Sequence, residues 1–283
     1  MYFLLEHVNR SARELKGYVV LAAVPIEEFQ VKEGNFRRPE DAEKAASGWT
    51  RFQPEMRWGG RDCHAWFRAE ATIPQSFAGM PVAISVQTGD EGWDAINPQF
   101  ILYIDGEIVQ GLDLNHREAI LCERGEPGRT YRIDLNAYSG MREARQSLHA
   151  EVIALDEKVR KLYYDIAVPL GVLQDLSVDD KVRFDMLLVL NEALNRVDFR
   201  RPRSSSFYRS VNSAEAYLEE ELYRKMCGHE DVFATCVGHT HIDVAWLWRI
   251  AQTREKAAAS FATALKLMDE YPEYVFSLSS TSS

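Results

Sequence analysis

Apolar residues take every second position in several short segments within residues 48–155. In CHAWFRAEATIP, for example, Ala65, Phe67 and Ala69 are spaced in this way. A period of two is typical of strands with one buried face, because successive side chains point to opposite sides. The same pattern recurs in PVAISVQTG, TYRIDLNAYSG and HAEVIAL. Short strands with frequent turns and no long helix between them predict an antiparallel β-sandwich, jelly-roll-like, over residues 48–155.

One pair of these strands has a recognisable turn. In FILYIDGEIVQG, two apolar runs flank the dipeptide Asp105-Gly106. A two-residue hairpin turn needs positive φ angles, which Asp and Gly adopt more readily than most residues. The segment is therefore predicted to be a β-hairpin.

From about Asp156 the period of the apolar residues changes to 3.6, which is that of a helix. Val159, Leu162 and Ile166 fall on one stripe of the first such segment. Pro169 should kink or interrupt this helix, because proline lacks the backbone N–H and its ring clashes with the preceding turn.

Further helix starts are predicted from capping residues. Ser177 with Asp180 resembles a capping box ahead of a second amphipathic helix. The basic, serine-rich segment RRPRSSSFYRSV is interpreted as a solvated linker. Asn212 with Glu215 then marks the start of a third helix.

The C-terminal part has a different organisation. A short apolar run, DVFATCVGH, precedes a helical pattern that extends from about Val244 to Tyr271, and a second apolar run follows. Strand, helix and strand in this order predict a parallel unit. The predicted segments are an N-terminal arm (1–47), the β-sandwich (48–155), a helical region with its linker (156–230) and an α/β domain from residue 231.

Composition and charge narrow the function classes. The formal net charge is −10, without the clusters of Lys and Arg that nucleic-acid binding requires. No stretch approaches the roughly 20 apolar residues that span a bilayer, and no secretory signal is recognisable. The four cysteines have no C-x-x-C spacing, so free thiols in a cytoplasmic protein are expected.

Candidate chemistry is concentrated in GHTHIDVAWLWR. In an extended strand, His239, His241 and Asp243 would project to the same side. Imidazole and carboxylate groups are good ligands for zinc and similar divalent ions. The alternative is a polar strand end in which Asp243 caps the next helix. The triplet ahead of a long helix favours the metal site.

Two tryptophans follow this triplet. Trp246 and Trp248 offer flat apolar rings that can stack on a sugar or pack between helix and sheet. If both lie on the helix, residues two apart cannot share a face, so at most one of them lines a pocket.

The segment GHTHIDVAWLWRIAQTREKAAASFATALKLMDEYPEYVF resembles the opening of the catalytic domain in family 38 glycoside hydrolases, the α-mannosidases. The similarity is greatest to their cytosolic, microbial-type branch. RWGGRDCHAWFRAEATIP and FILYIDGEIVQGLD resemble the same branch, so the resemblance extends over most of the chain from about residue 48. It implies that residues 231–283 form the first βα unit of an α/β-barrel-like catalytic domain.

The resemblance also implies a site and an activity. His241 and Asp243 are then ligands of zinc, or of another divalent metal such as cobalt, Trp246 stacks on mannose, and His239 is not a ligand. The implied reaction is retaining hydrolysis of α-mannosidic bonds in mannose-containing oligosaccharides. The family's nucleophile, its acid/base and the remaining ligands lie further along its sequence. The chain is therefore expected to be an N-terminal fragment of a homo-oligomeric enzyme, inactive on its own.

Two other functions compete with this interpretation. Amidohydrolase-type metal hydrolases also begin their barrel with H-x-H, here His239 and His241. A second alternative is a carbohydrate-binding or structural β-sandwich without catalysis. Its stacking platform would come from the tryptophans of the sandwich, among which Trp66 is the best candidate for an exposed or interface ring. These are Trp49, Trp58, Trp66 and Trp93.

Overall fold

The computed structural model of the chain describes residues 2–46, 48–88, 98–229, 234–244, 246 and 248–278. The α-helices in these ranges are Tyr2–Lys16 (α1), Pro39–Lys44 (α2), Glu157–Asp175 (α3), Lys181–Arg196 (α4), Ser205–Leu218 (α5) and Ile250–Glu270 (α6). The strands are Val20–Pro25 (β1), Phe29–Glu33 (β2), Thr50–Phe52 (β3), Trp58–Gly59 (β4), His64–Thr72 (β5), Val82–Gln87 (β6), Gln99–Ile104 (β7), Glu107–Leu112 (β8), Glu118–Cys122 (β9), Thr130–Tyr138 (β10), Arg145–Gln146 (β11), His149–Leu155 (β12), Gly238–Thr240 (β13) and Phe276–Leu278 (β14).

The chain divides into two compact units, each made of two separate stretches. One unit combines residues 1–22 with 154–234, and the other combines residues 23–153 with 235–283. These unit boundaries differ from those of the four segments inferred from the sequence. That the four segments are separate domains remains a prediction. The N-terminal 47 residues contain α1, β1, β2 and α2, for which the sequence pattern showed no clear period.

The first unit is a helical bundle with one apolar core. Helices α1, α3, α4 and α5 contribute fully buried side chains, including Leu15, Leu162, Leu190 and Phe207. Helix α1 contributes buried apolar residues to this core. They are spaced by four and then three positions along the helix, and the last of them is Leu15. The helical period predicted from Asp156 onwards is confirmed by α3, α4 and α5.

Helix α3 continues through Pro169, so the predicted interruption is wrong. Proline at this position removes the backbone hydrogen bond to the carbonyl four residues earlier, which is that of Asp165. The hydroxyl group of Tyr223 donates a hydrogen bond of 3.0 Å to that carbonyl oxygen. A side chain distant in the sequence thus supplies a replacement donor.

Two predicted helix starts are also wrong by several residues. Helix α4 is capped by Asp180, whose carboxylate accepts a hydrogen bond of 2.8 Å from the Val182 amide, rather than by Ser177. Helix α5 begins inside the segment interpreted as a linker, seven residues before Asn212. Ser204 caps it by accepting a hydrogen bond of 3.2 Å from an amide in its first turn.

The antiparallel strands inferred from the period of two are confirmed. A six-stranded sheet has the order β3-β2-β5-β10-β7-β8, and a four-stranded sheet has the order β1-β12-β6-β9. Strands β7 and β8 pair across the turn at Asp105 and Gly106, which have φ angles of 54° and 92°, so the predicted hairpin is confirmed. Strands β1 to β4, β9 and β11 were not predicted.

Both faces of the six-stranded sheet are covered. On one face Phe67 packs edge-on against Phe52 and Trp58, with ring centroids 5.0 and 5.4 Å away. On the other face Trp66 is fully buried in a cluster that includes Ala258 and Ala259 of α6. Helix α6 therefore packs on a sheet whose other face is also buried.

The C-terminal segment contains the predicted strand–helix–strand unit. Strands β13 and β14 are parallel and pair His239 with Ser277, and α6 lies between them in the sequence. Residues 231–233 of the predicted first strand lie outside the described residues. Among the described helices, none is both long enough and apolar enough to cross a membrane.

Candidate functional site

The loop between β13 and α6 contains the predicted metal donors. Helix α6 starts at Ile250, with Arg249 as its N-cap, and not near Val244 as the sequence pattern predicted. Asp243 therefore does not cap the helix. The described residues between the strand end and the helix, which are 241–244, 246, 248 and 249, are called here the metal-donor loop.

The structure brings two members of the predicted triplet together. His241 Nε2 lies 3.0 Å from Asp243 Oδ1, and both side chains are about half exposed. His239 makes a different contact, with its Nδ1 3.1 Å from the carbonyl oxygen of Ser277 on β14. The projection of all three side chains to one point is thus not observed, because the strand ends at Thr240.

The chemistry of this pair fits two ligands of one metal ion. Ligands at about 2.1 Å from a tetrahedral zinc ion lie roughly 3.4 Å apart. His241 Nε2 and Asp243 Oδ1 are 3.0 Å apart, the length of a hydrogen bond, so a small separation of the two atoms would let both bind one ion. Within the described ranges no group of three or more His, Cys, Asp or Glu side chains could hold a metal ion. The pair is therefore a partial donor set here.

The two tryptophans lie in the metal-donor loop and not on a helix, so the argument from helix faces does not apply. Trp246 is 68% exposed, as a stacking platform requires. Trp248 is held in place: its indole Nε1 donates a hydrogen bond of 3.1 Å to Thr253 Oγ1, and Lys256 Nζ lies 4.8 Å from its ring centroid.

A cavity of about 390 Å³ lies beside His241. Its lining includes Trp248 and Lys256, together with Asp113 and His116 from the turn between β8 and β9. This Asp–His pair is not among the residues predicted from the sequence, because polar residues in a turn are common and their proximity to His241 depends on tertiary contacts. The spacing D-x-x-H was the one local signal that the two could interact.

Asp113 and His116 form an ion pair when His116 is protonated, called here the charged pair. Their side chains are joined by a contact of 3.1 Å between His116 Nδ1 and Asp113 Oδ1. This hydrogen bond raises the pKa of His116 above its usual value, against the opposing effect of burial. Burial disfavours ionisation of Asp113, but hydrogen bonds from His116 and Asn115 outweigh it and lower the pKa of that carboxyl.

The charged pair should make stability depend on pH. The raised pKa of His116 gives a contribution that is fully present below about pH 6.5 and is lost as the pH rises through the folded-state value. The contribution of Asp113 is present above about pH 3.8 and is lost as the pH falls further. When the pH rises from about 5.5 to about 8.5, we expect the free energy of unfolding to fall less in His116→Gln than in the wild type. Urea unfolding at both pH values measures this difference.

A control isolates the pair from other titrating groups. Asp113→Asn removes the negative charge but keeps His116, so it should reduce the same pH dependence. If the change in unfolding free energy between the two pH values is identical in all three proteins, the charged pair does not contribute.

The tryptophans of the sandwich that the structure describes do not form an open platform. Trp66 is fully buried and Trp58 is 5% exposed. Trp66 is an interface ring rather than an exposed one, because α6 covers it. Trp49 stacks on Arg68, whose guanidinium carbon lies 4.6 Å from its ring centroid. Trp93 lies outside the described residues.

Comparison with known proteins gives a family match for the segment that contains the metal-donor loop. The family described as "Glycosyl hydrolases family 38 N-terminal domain" matches residues 231–283, which contain that loop and α6. Alpha-mannosidase 2C1 of Homo sapiens is 28% identical over 233 residues, covering 76% of this chain and 21% of that protein. The resemblance to family 38 α-mannosidases is confirmed.

Other relatives agree with this result. Alpha-mannosidase G of Dictyostelium discoideum is 22% identical over 235 residues, covering 76% of this chain and 20% of that protein. Alpha-mannosidase of Saccharomyces cerevisiae is 29% identical over 137 residues, with coverages of 45% and 12%. The chain thus spans about a fifth of the length of the first relatives it matches.

Among solved structures, a β-glucuronidase from Ruminococcus gnavus aligns with a TM-score of 0.35 and 10% identity, over 48% of this chain and 30% of that one. This similarity is too low to support an argument about fold or function.

Proposed function

We propose that this chain contributes the metal-donor loop of a metal-dependent α-mannosidase that hydrolyses mannose-containing oligosaccharides with retention of configuration. One observation carries the proposal: the part of the chain that matches the glycosidase family is the part in which His241 and Asp243 lie 3.0 Å apart. The relatives named as α-mannosidases support the substrate class.

The proposal includes an architecture. The two antiparallel sheets are proposed to form a jelly-roll-like sandwich, and β13, α6 and β14 to be the first βα unit of an α/β-barrel-like catalytic domain. The parallel pairing of β13 with β14 supports the second part, since parallel strands need a crossover helix between them. On the strength of the sequence resemblance we also propose a cytoplasmic location and assembly into homo-oligomers.

Each site residue has a proposed role. His241 and Asp243 would hold the metal, His241 through its unprotonated Nε2 and Asp243 through its ionised carboxylate. When bound, the metal supplies a Lewis acid that binds hydroxyl groups of the sugar. Trp246 offers its exposed ring to the apolar face of mannose. No carboxylate of this chain is assigned as nucleophile or as acid/base.

Metal titration tests the donor assignment. We expect the chain to bind cobalt or zinc weakly, because two protein donors are fewer than the three or four of a complete site. His241→Ala and Asp243→Ala should each lower that affinity by at least about tenfold, since each removes half of the protein donors. Isothermal titration with zinc, and the absorbance of bound cobalt, measure the effect. The same samples should not hydrolyse 4-nitrophenyl α-mannoside.

His239→Ala is the matched control, since His239 lies on the same segment but contacts Ser277 instead. It should leave the affinity unchanged. The amidohydrolase alternative requires the opposite, namely that His239→Ala is as damaging as His241→Ala. That outcome would reject the mannosidase assignment of the donors.

A further inference from the structure

Asp62 adopts a strained backbone conformation just before β5. Its φ angle of 57° lies in the left-handed region, which residues other than glycine rarely occupy. Its backbone N–H donates a hydrogen bond of 2.6 Å to the carbonyl oxygen of Gly140. Glycine would adopt this conformation without strain, so the side chain of Asp62 needs an explanation of its own.

Both carboxylate oxygens of Asp62 are engaged. Oδ1 accepts a hydrogen bond of 3.2 Å from the hydroxyl group of Tyr138, at the end of β10. Oδ2 lies 2.9 Å from the guanidinium of Arg249, which is the N-cap of α6 and the last residue of the metal-donor loop. The strained residue therefore connects the end of β10, an inner strand of the six-stranded sheet, to the end of that loop.

A second contact connects α6 to β5, the strand beside β10. His64 Nε2 on β5 lies 3.0 Å from Glu255 Oε1, and both side chains are mostly buried, with exposures of 11% and 20%. The ring of His64 also packs on that of Tyr138, with centroids 4.6 Å apart. Two contacts, at Arg249 and at Glu255, hold the start of α6 more firmly than either alone.

The start of α6 in turn holds the metal-donor loop. Thr253, in the first turn, donates a hydrogen bond of 2.5 Å from its hydroxyl to the carbonyl oxygen of Val244, the residue after Asp243. The same hydroxyl oxygen accepts the bond from the Trp248 indole. Contacts thus run without a break from Asp62 through Arg249 and Thr253 to the backbone beside the metal donor.

We propose that Asp62 is a positioning residue, which uses the β-sheet to hold the metal-donor loop in the conformation that brings His241 and Asp243 together. The metal part of this inference rests on the proposed function, whereas the ordering of the loop does not. In that case the six-stranded sheet positions the candidate site and is not an independent sugar-binding module.

Asp62→Gly and Asp62→Asn test the proposal, because both residues adopt a positive φ angle but only asparagine keeps an acceptor for Tyr138. Glycine relieves the positive φ angle and removes the carboxylate, so we expect an unchanged or higher Tm together with a looser loop. Because the Arg249 side chain is mostly exposed, hydrogen exchange in the peptide 241–249 should quicken by about two- to fivefold. Cobalt affinity should fall by a similar factor. Asparagine tolerates the left-handed conformation and can still accept from Tyr138, but it lacks the charge that pairs with Arg249. It should give a smaller change in the same direction.

Arg249 provides the reciprocal test. Arg249→Gln should loosen the loop as Asp62→Asn does, and Arg249→Lys should restore most of the protection because it keeps the charge. Lys181→Gln removes an exposed ion pair with Asp185 in the helical unit and is the matched control, without effect on the peptide 241–249.

The outcomes separate this proposal from the proposed function. If the wild type binds no cobalt through His241, the donor assignment fails and hydrogen exchange alone decides whether Asp62 orders the loop. Unchanged exchange in Asp62→Gly overturns the positioning role. The positioning role is also overturned if every variant that loses protection from hydrogen exchange has a lower Tm, because that pattern indicates general destabilisation.

Discussion

Replacement of Trp66 by alanine is expected to lower the free energy of unfolding by about 3–5 kcal/mol. The side chain is fully buried on the face of the sheet that α6 covers, and its ring centroid lies 5.4 Å from that of Tyr103. Its indole N–H also donates a hydrogen bond of 3.2 Å to the carbonyl oxygen of Phe36. Truncation therefore leaves a large cavity and an unpaired acceptor. Urea unfolding followed by circular dichroism measures the loss.

Trp246 is the matched control for this substitution, because it is a tryptophan on the surface. Trp246→Ala should change the free energy of unfolding by less than about 0.5 kcal/mol. Two variants of the same residue type thus separate a packing role from an exposed one. A small effect of Trp66→Ala would contradict the buried packing at this interface.

The same pair of variants addresses the carbohydrate-binding alternative. If Trp66 were a sugar platform, mannose would change its fluorescence in the folded wild type. Complete burial predicts no response from this ring. A mannose-dependent signal that disappears in Trp66→Ala, measured where the variant is still folded, would favour the binding module.

Asp134→Ala is expected to have the second large effect, a loss of about 3 kcal/mol of stability. The carboxylate is completely buried and accepts a hydrogen bond of 2.5 Å from Arg68 Nε, with Arg132 Nε 3.1 Å away. Burial raises the pKa of Asp134, and the hydrogen bond from Arg68 only partly offsets it. Removal of the carboxylate leaves the mostly buried Arg68 with Glu43 as its remaining acidic partner, at 2.7 Å.

The cause of this loss can be checked with a second variant. If the cost arises from an uncompensated buried charge, Arg68→Met in the Asp134→Ala background should recover part of it. Asp198→Ala is the control, because its partner Arg200 is exposed and such pairs contribute little. A double variant that is less stable than Asp134→Ala would show that packing, and not charge, accounts for the loss.

Local patterns identified a large part of the fold. The period of two located β5, β6, β10 and β12, because alternation is a property of one strand and its two faces. The Asp105-Gly106 pair located the hairpin, since the turn depends on two adjacent residues. The order of apolar runs around α6 identified the parallel unit. Spacing alone selected the triplet of His239, His241 and Asp243, and the resemblance to family 38 narrowed it to the two residues that the structure brings together.

Features that depend on distant residues were not accessible from the local pattern. Pro169 remains in a helix because Tyr223, far along the chain, donates to the carbonyl that proline leaves unpaired. Trp66 is buried because α6 packs on a strand almost 200 residues earlier in the sequence. His116 lies beside the same cavity as His241 because of contacts between residues that are distant in the sequence.

The sequence by itself thus determined the periodicity of the main elements, the hairpin, the strand–helix–strand unit and the resemblance to α-mannosidases, because each is carried by residues close together in the chain. Only the tertiary structure decided where α4, α5 and α6 begin, which tryptophans are buried and how the metal-donor loop is held. A helix start depends on which cap and which packing surface prevail in the folded molecule. The strained Asp62 and its contact with Arg249 show the difference most clearly, since neither residue stands out until the sheet and the helix meet.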